Sequence, residues 1–189
     1  GLYGGGYIKV PGNAVTNVIE HITFASTGGG TDFGDLTDAR RVVASASSPT
    51  RTVFQGGVAS TATSNVRDII DYVTTASTGN AQDFGDLVSA KRDHSGGSSA
   101  VRAMTAGNTG NSNAVDFITI ASTGNSTDFG DLTVGRSSTG AGSNSVILAV
   151  YGGTSPGVDV TIDQLTISTT GNAVAVSYTH LRAHETPLH

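Results

Sequence analysis

The chain has 189 residues, a formal net charge of −5, 37% hydrophobic residues and 26 glycines, with no cysteine and no tryptophan. A net negative charge argues against a nucleic-acid backbone as partner, and no apolar run approaches membrane-spanning length. The absence of cysteine excludes disulfide frameworks and thiolate metal sites, and scarce Lys and Glu beside abundant Gly, Ser and Thr point to short strands and turns rather than helices.

In chain order, an apolar stretch closing on glycines, "GLYGGG" (1–6), precedes the β-rich run "NVIEHITFAST" (17–27), a glycine turn and "TDFGDL" (31–36). Arg40-Arg41 and the small-residue run "VVASASS" (42–48) follow, then "TVFQGG" (52–57). The cycle repeats with "DIIDYVTTAST" (68–78), "QDFGDL" (82–87), Lys91-Arg92 and "AMTAGN" (103–108). A third pass gives "AVDFITIAST" (114–123), "TDFGDL" (127–132), Arg136 and "LAVYGG" (148–153), and a fourth opens with "VTIDQLTISTT" (160–170). Aligned on "STG", Gly28, Gly79, Gly124 and Gly171 lie 51, 45 and 47 residues apart. Val, Ile, Thr and Phe between Gly-, Asn- and Ser-rich breaks predict strands. The run around Val115–Ile120 is apolar on both faces, which fits a strand covered from both sides.

Four short strands per unit predict stacked four-stranded sheets. On that reading the repeated Phe33, Leu36, Phe84, Leu87, Phe129 and Leu132 anchor an outer strand, each burial worth about 1.5–3 kcal/mol. The glycine between them allows a bulge, and the flanking aspartates are expected to close Asx turns. "DFG" in triplicate is not a kinase magnesium site, since no glycine-rich loop, strand lysine or "HRD" loop accompanies it. Two carboxylates per "DFGD" are too few for a calcium loop, and "GLYGGGY" lacks the helix that a phosphate cradle needs.

Residues 175–189, "AVSYTHLRAHETPLH", break with the repeat and hold three of the five histidines. Val176–Thr186 coincides without mismatch with one reading frame of a transposase sequencing adaptor. Ala175 stands where the repeat predicts aspartate, the change a G joined to the adaptor's leading CT would produce. The segment is read as a non-native tail, leaving 1–174 as the repeat domain.

A basic residue, a small-residue run, an apolar strand ending in Gly-Gly, an "IDYV" strand and an aromatic followed by Leu together resemble the kelch repeat. The glycine pair maps to Gly56-Gly57 and Gly152-Gly153, and to Gly4-Gly5 in the first unit; the family's tryptophan position is filled by Phe33, Phe84 and Phe129. Two departures are the lack of tryptophan and Ala106-Gly107-Asn108 in place of the pair. The resemblance implies an all-β fold: a partial kelch-like β-propeller of about three and a half four-stranded antiparallel blades, an open fragment whose missing blades belong to the same chain. Such a fragment is expected to aggregate or self-associate when expressed alone. The near-identical "VTIASTGN…DFGDLT" units are also similar to tandem-repeat structural or tail proteins of marine bacteriophages, which implies a virion or extracellular setting.

Candidate site residues are few. Arg40, Arg92 and Arg136 share one repeat position and either pair with neighbours such as Asp38 and Asp93 or form a collar for an anionic ligand. His94 lies in a charged loop as a weak ligand candidate, and His21 takes the repeat position of Tyr72 and Phe117. No catalytic residue, metal ligand or cofactor site is assigned. The expected function is non-enzymatic binding to a glycan or protein surface, through variable connections (38–66, 88–113, 133–158) on a constant scaffold. The alternatives are a galactose oxidase-like carbohydrate-active enzyme, which would need copper held by tyrosine and histidine, and an intracellular kelch scaffold.

Overall fold

The computed structural model describes residues 1–9, 12–154, 157–158 and 160–177. Among them there are fifteen strands and no helix, in four antiparallel meander sheets. The first has three strands, β1 (Leu2–Ile8), β2 (Ala14–His21) and β3 (Thr31–Asp35). The second has β4 (Ala44–Ser47), β5 (Arg51–Gln55), β6 (Ile69–Thr74) and β7 (Gln82–Asp86). The third has β8 (Ser95–Ser98), β9 (Arg102–Ala106), β10 (Ala114–Thr119) and β11 (Thr127–Asp131). The fourth has β12 (Gly140–Ser143), β13 (Ile147–Tyr151), β14 (Ile162–Thr166) and β15 (Val174–Ser177). Strands pair in sequence order within each sheet, and no ladder joins one sheet to another among the described residues. The segment read as a tail places residues 175–177 in β15, while 178–189 fall outside the described residues.

Successive sheets lie face to face and share cores. Ile19, Phe33 and Leu36 of the first sheet meet Phe54 and Val73 of the second. Val53, Ile70, Phe84 and Leu87 of the second meet Ile118 and Ile120 of the third. Phe129 and Leu132 of the third meet Leu148, Val150 and Leu165 of the fourth. Each middle sheet is therefore buried on both faces, which is why its central strand carries apolar residues on both sides. The phenylalanines also stack edge-on against the aromatic one strand inward, with centroid distances of 6.0 Å for His21–Phe33, 5.8 Å for Tyr72–Phe84 and 5.6 Å for Phe117–Phe129.

The "DFGDL" glycine has a specific cause. At Gly34, Gly85 and Gly130 the outer strand bulges, and an added Cβ would run into the backbone carbonyl of Gly79, Gly124 or Gly171 in the next repeat's "STG" turn. That turn is stapled to the outer strand: Gly79, Gly124 and Gly171 N–H donate to the carbonyls of Phe33, Phe84 and Phe129 at 2.7, 2.7 and 2.9 Å. The Asn80, Asn125 and Asn172 side chains accept from the Asp35, Asp86 and Asp131 amides at 3.1, 3.0 and 3.1 Å. The expected Asx turns of the aspartates are thus corrected. Asparagines of the following repeat make those side-chain bonds, and the Asp35, Asp86 and Asp131 carboxylates stay at the surface.

The glycine pair of the first unit also shifts by one. Gly6 N–H donates to the Arg40 carbonyl as Gly57 N–H does to that of Lys91, so Gly5-Gly6 is the equivalent of Gly56-Gly57. A Cβ at Gly5 or Gly56 would strike those same carbonyls, at backbone φ of +72° and +63°. There the glycine is required twice over, by close approach and by conformation.

Candidate functional site

In each complete sheet the inner strand is short and made of small residues: "ASAS", "SGGS" and "GAGS". Each is the edge of its sheet, with one side unpaired. The three edges stand side by side, linked through serines. Ser98 Oγ accepts from Ser47 N–H at 3.2 Å and donates to the Ser47 carbonyl at 2.8 Å, and Ser143 Oγ accepts from Ser98 N–H at 3.2 Å. Only small side chains permit this spacing, since a Cβ on Gly96 would sit 2.9 Å from the Ser45 carbonyl oxygen. The edges line a trough of about 260 Å³ that holds serine and threonine hydroxyls and no charged side chain. Edge amides, carbonyls and hydroxyls supply donors and acceptors without titratable groups, a lining suited to holding a neutral polar ligand.

The charged residues lie elsewhere. Arg40 is fully buried and pairs with buried Asp71 at 2.8 Å, while its Nε donates to the Gly56 carbonyl at 2.8 Å. Thr37 closes the group, its Oγ1 donating to Asp71 at 2.6 Å. The fourth sheet repeats the arrangement with Arg136, Asp163 and Thr133. In the third sheet the equivalent cation is Lys91, which pairs with Asp116 at 2.9 Å. The alignment of Arg92 with Arg40 and Arg136 is corrected accordingly: Arg92 is the next residue and pairs with Asp93 at 3.3 Å. The carbonyls of Arg40, Lys91 and Arg136 all receive an amide from the preceding sheet, which fixes the register. Asp38 pairs with Arg67 at 2.6 Å, and Arg40 touches only its carbonyl. A collar for an anion needs exposed guanidiniums, and those of Arg40 and Arg136 have none.

His94 is enclosed rather than looped out. Neither ring nitrogen forms a hydrogen bond. Burial first and the neighbouring Lys91 cation second push its pKa down to about 3, against weaker opposing effects of the Gln55 backbone and Asp93. His21, at the end of the middle strand β2 of the first sheet, contacts Thr31 Oγ1 at 2.9 Å and is not among the residues lining the trough. Among the described residues no three His, Cys, Asp or Glu side chains converge as a metal site would require.

Two further features have weak sequence signals. Arg51 and Arg102 each lie 4.5 Å over the aromatic ring of their own sheet, Tyr72 and Phe117, and donate to the Ile120 and Ile167 carbonyls of the next sheet at 2.9 Å. They strap sheet to sheet. The buried acids Asp71, Asp116 and Asp163 sit at one repeat position inside apolar runs, an anomaly that marks a buried partner. Compared with models of known protein families the chain matches none, and a comparison with curated proteins finds no match.

Proposed function

We propose that the four sheets are successive blades of a kelch-like β-propeller, and that the protein is a non-enzymatic recognition module of a phage virion or another extracellular surface. The ligand it fits is a neutral glycan, held in the trough between the inner strands. The observation that carries this reading is the row of bare, hydroxyl-bearing edges at Ser47, Ser98 and Ser143, free of charge and of large side chains. A sugar presents closely spaced hydroxyls, and such edges can meet them with matched donors and acceptors at a net gain of about 0.5–1.5 kcal/mol per bond. The setting rests on the repeat resemblance. Relative to this reading, an oxidase-like site would need a histidine and tyrosine brought together, whereas His94 is enclosed beside Lys91 and Gln55.

The test is a screen of immobilised neutral glycans followed by calorimetric titration of the best binder. Gly142 lines the trough, and a Cβ there meets nothing within 4 Å. Gly142→Arg therefore fills the trough while leaving the thermal midpoint nearly unchanged, and is expected to weaken binding at least tenfold. Equal binding by this variant, or retention of no neutral glycan, rejects the reading.

A further inference from the structure

The three inner strands differ in what anchors them. β4, β8 and β12 are edge strands, each laddered on one side only, to β5, β9 and β13. Immediately before them stand Val43, His94 and Thr139, one repeat position, three residues after Arg40, Lys91 and Arg136. Val43 packs against the apolar core between the first two sheets, and β4 itself adds buried Ala44 and Ala46. Ala141 of β12 packs against the core between the last two. β8 is "SGGS" and carries no apolar side chain, so the His94 ring is the large group that fixes its start. That ring is 8% exposed and lies against the backbone of Gly56 in the second sheet, where an added Cβ would come within 2.8 Å of Cε1. Its nitrogens form no hydrogen bond there. The strand with the weakest anchor is thus held by a group that can acquire a charge.

We infer that β8 is an acid-released strand: protonation of His94 frees the ring from its enclosure and lets residues 94–98 leave the β9 edge, while the sheets on either side keep their inner strands. A proton on the enclosed ring would sit beside Lys91, whose ammonium opposes it, and Asp93, which favours it less strongly. Asp116 and Arg92 are paired with those two, and from the second sheet the ring meets Gln55 and Gly56, which bring no charge. Enclosed, the ring has a pKa of about 3; exposed, it has the ordinary 6.5. Below pH 6.5 the released form takes up a proton that the closed form refuses, so release grows easier as pH falls and gains nothing more below about pH 3. The opening is local because β8 takes no apolar side chain with it, and Val53, Ile70, Phe84, Ile118 and Ile120 stay buried between the second and third sheets. β8 is the middle of the three edges at the trough, so acid dismantles that wall whatever the trough holds.

The test is amide hydrogen exchange on the whole chain at pH 7 and pH 5, expressed as protection factors so that the intrinsic rate cancels. Protection in Gly96–Ser98 is expected to lie below that of β10 at pH 7 and to fall about 25-fold at pH 5. The Ser47 amide, which donates to Ser98 Oγ, should fall with it. The other protected amides of β4, and those of β12, should hold their protection. His94→Val and His94→Thr, which borrow the residues of the flanking sheets, should each remove the pH dependence from β8. A fall shared equally by β4, β8 and β12 would mean that the whole stack opens. No fall in β8, or a fall that persists in both variants, would mean that His94 is not its anchor. Any of these results overturns the proposal. The exchange experiment contains no glycan, so its outcome is independent of recognition in the trough.

Discussion

The second and third sheets use the same repeat to bury an acid, and they satisfy it differently. In the second, Asp71 receives the Arg40 guanidinium, the Thr37 hydroxyl and the Thr37 amide. In the third, Asp116 has only the Lys91 ammonium, 2.9 Å from Oδ2: Val88 replaces the threonine, so no hydroxyl and no amide of that residue reaches the acid. Thr105 Oγ1, Gln55 Nε2 and both His94 nitrogens are buried without hydrogen bonds, and all lie at the junction of the second and third sheets. The fold therefore does not depend on the polar group being complete in every layer, since the outer-strand staples and apolar cores repeat regardless. What the incomplete group changes is local stability, and the third sheet should be the softest of the stack.

The largest expected effect breaks the complete group. Arg40→Met leaves Asp71 buried and unpaired and should destabilise by about 3–5 kcal/mol in urea unfolding. Lys91→Met, at the position that is already undersatisfied, should cost less by about 1 kcal/mol or more. Equal losses would show that the two groups are energetically alike, against the comparison. The double variant Arg40→Met with Asp71→Leu should recover much of the loss, because it removes both charges from the interior.

Acid sharpens the contrast from the other side. His94 has a folded pKa of about 3 against an unfolded value near 6.5. Above pH 6.5 the ring is neutral in both states and carries no penalty. As pH falls below 6.5 the unfolded chain takes up a proton that the folded chain refuses, so stability falls until both forms are protonated below about pH 3. Between pH 6.5 and 5 this amounts to roughly 2 kcal/mol. His94→Val, which places at this site the residue found at Val43 in the equivalent position, should remove that part of the pH dependence. Thermal midpoints of both proteins across this range make the measurement, and parallel curves would reject the assignment.

Much of the layering was legible in sequence because its causes are local. Val, Ile and Thr runs punctuated by Gly and Asn yield strands, and the spacing of Phe33 and Leu36 and their copies marks an anchor that the cores then bury. The reasons for the glycines were less legible. Gly34 is needed because of the Gly79 carbonyl, a partner 45 positions along the chain that only the stacking brings near. The buried pairs failed for a similar reason. Composition alone offers Arg92 as the match to Arg40, and only the amide received by the Lys91 carbonyl sets the register. Of the trough, only the small-residue run at 42–48 was legible; its character comes from three strand edges meeting, which no single run encodes.

The smallest expected effect repairs the third sheet rather than damaging the second. Val88 occupies the place of Thr37 and Thr133, whose hydroxyls each donate to the buried acid of the following sheet. Val88 is itself 60% exposed, so its replacement loses little buried apolar area. Val88→Thr is nearly isosteric and should bring one donor to the undersatisfied Asp116, stabilising the protein by about 1 kcal/mol in urea unfolding. Amide exchange in β10 should slow in step, because the bond would form next to the central strand of that sheet. No change in either measurement would mean that Asp116 meets its needs another way, and the third sheet would then be no softer than its neighbours.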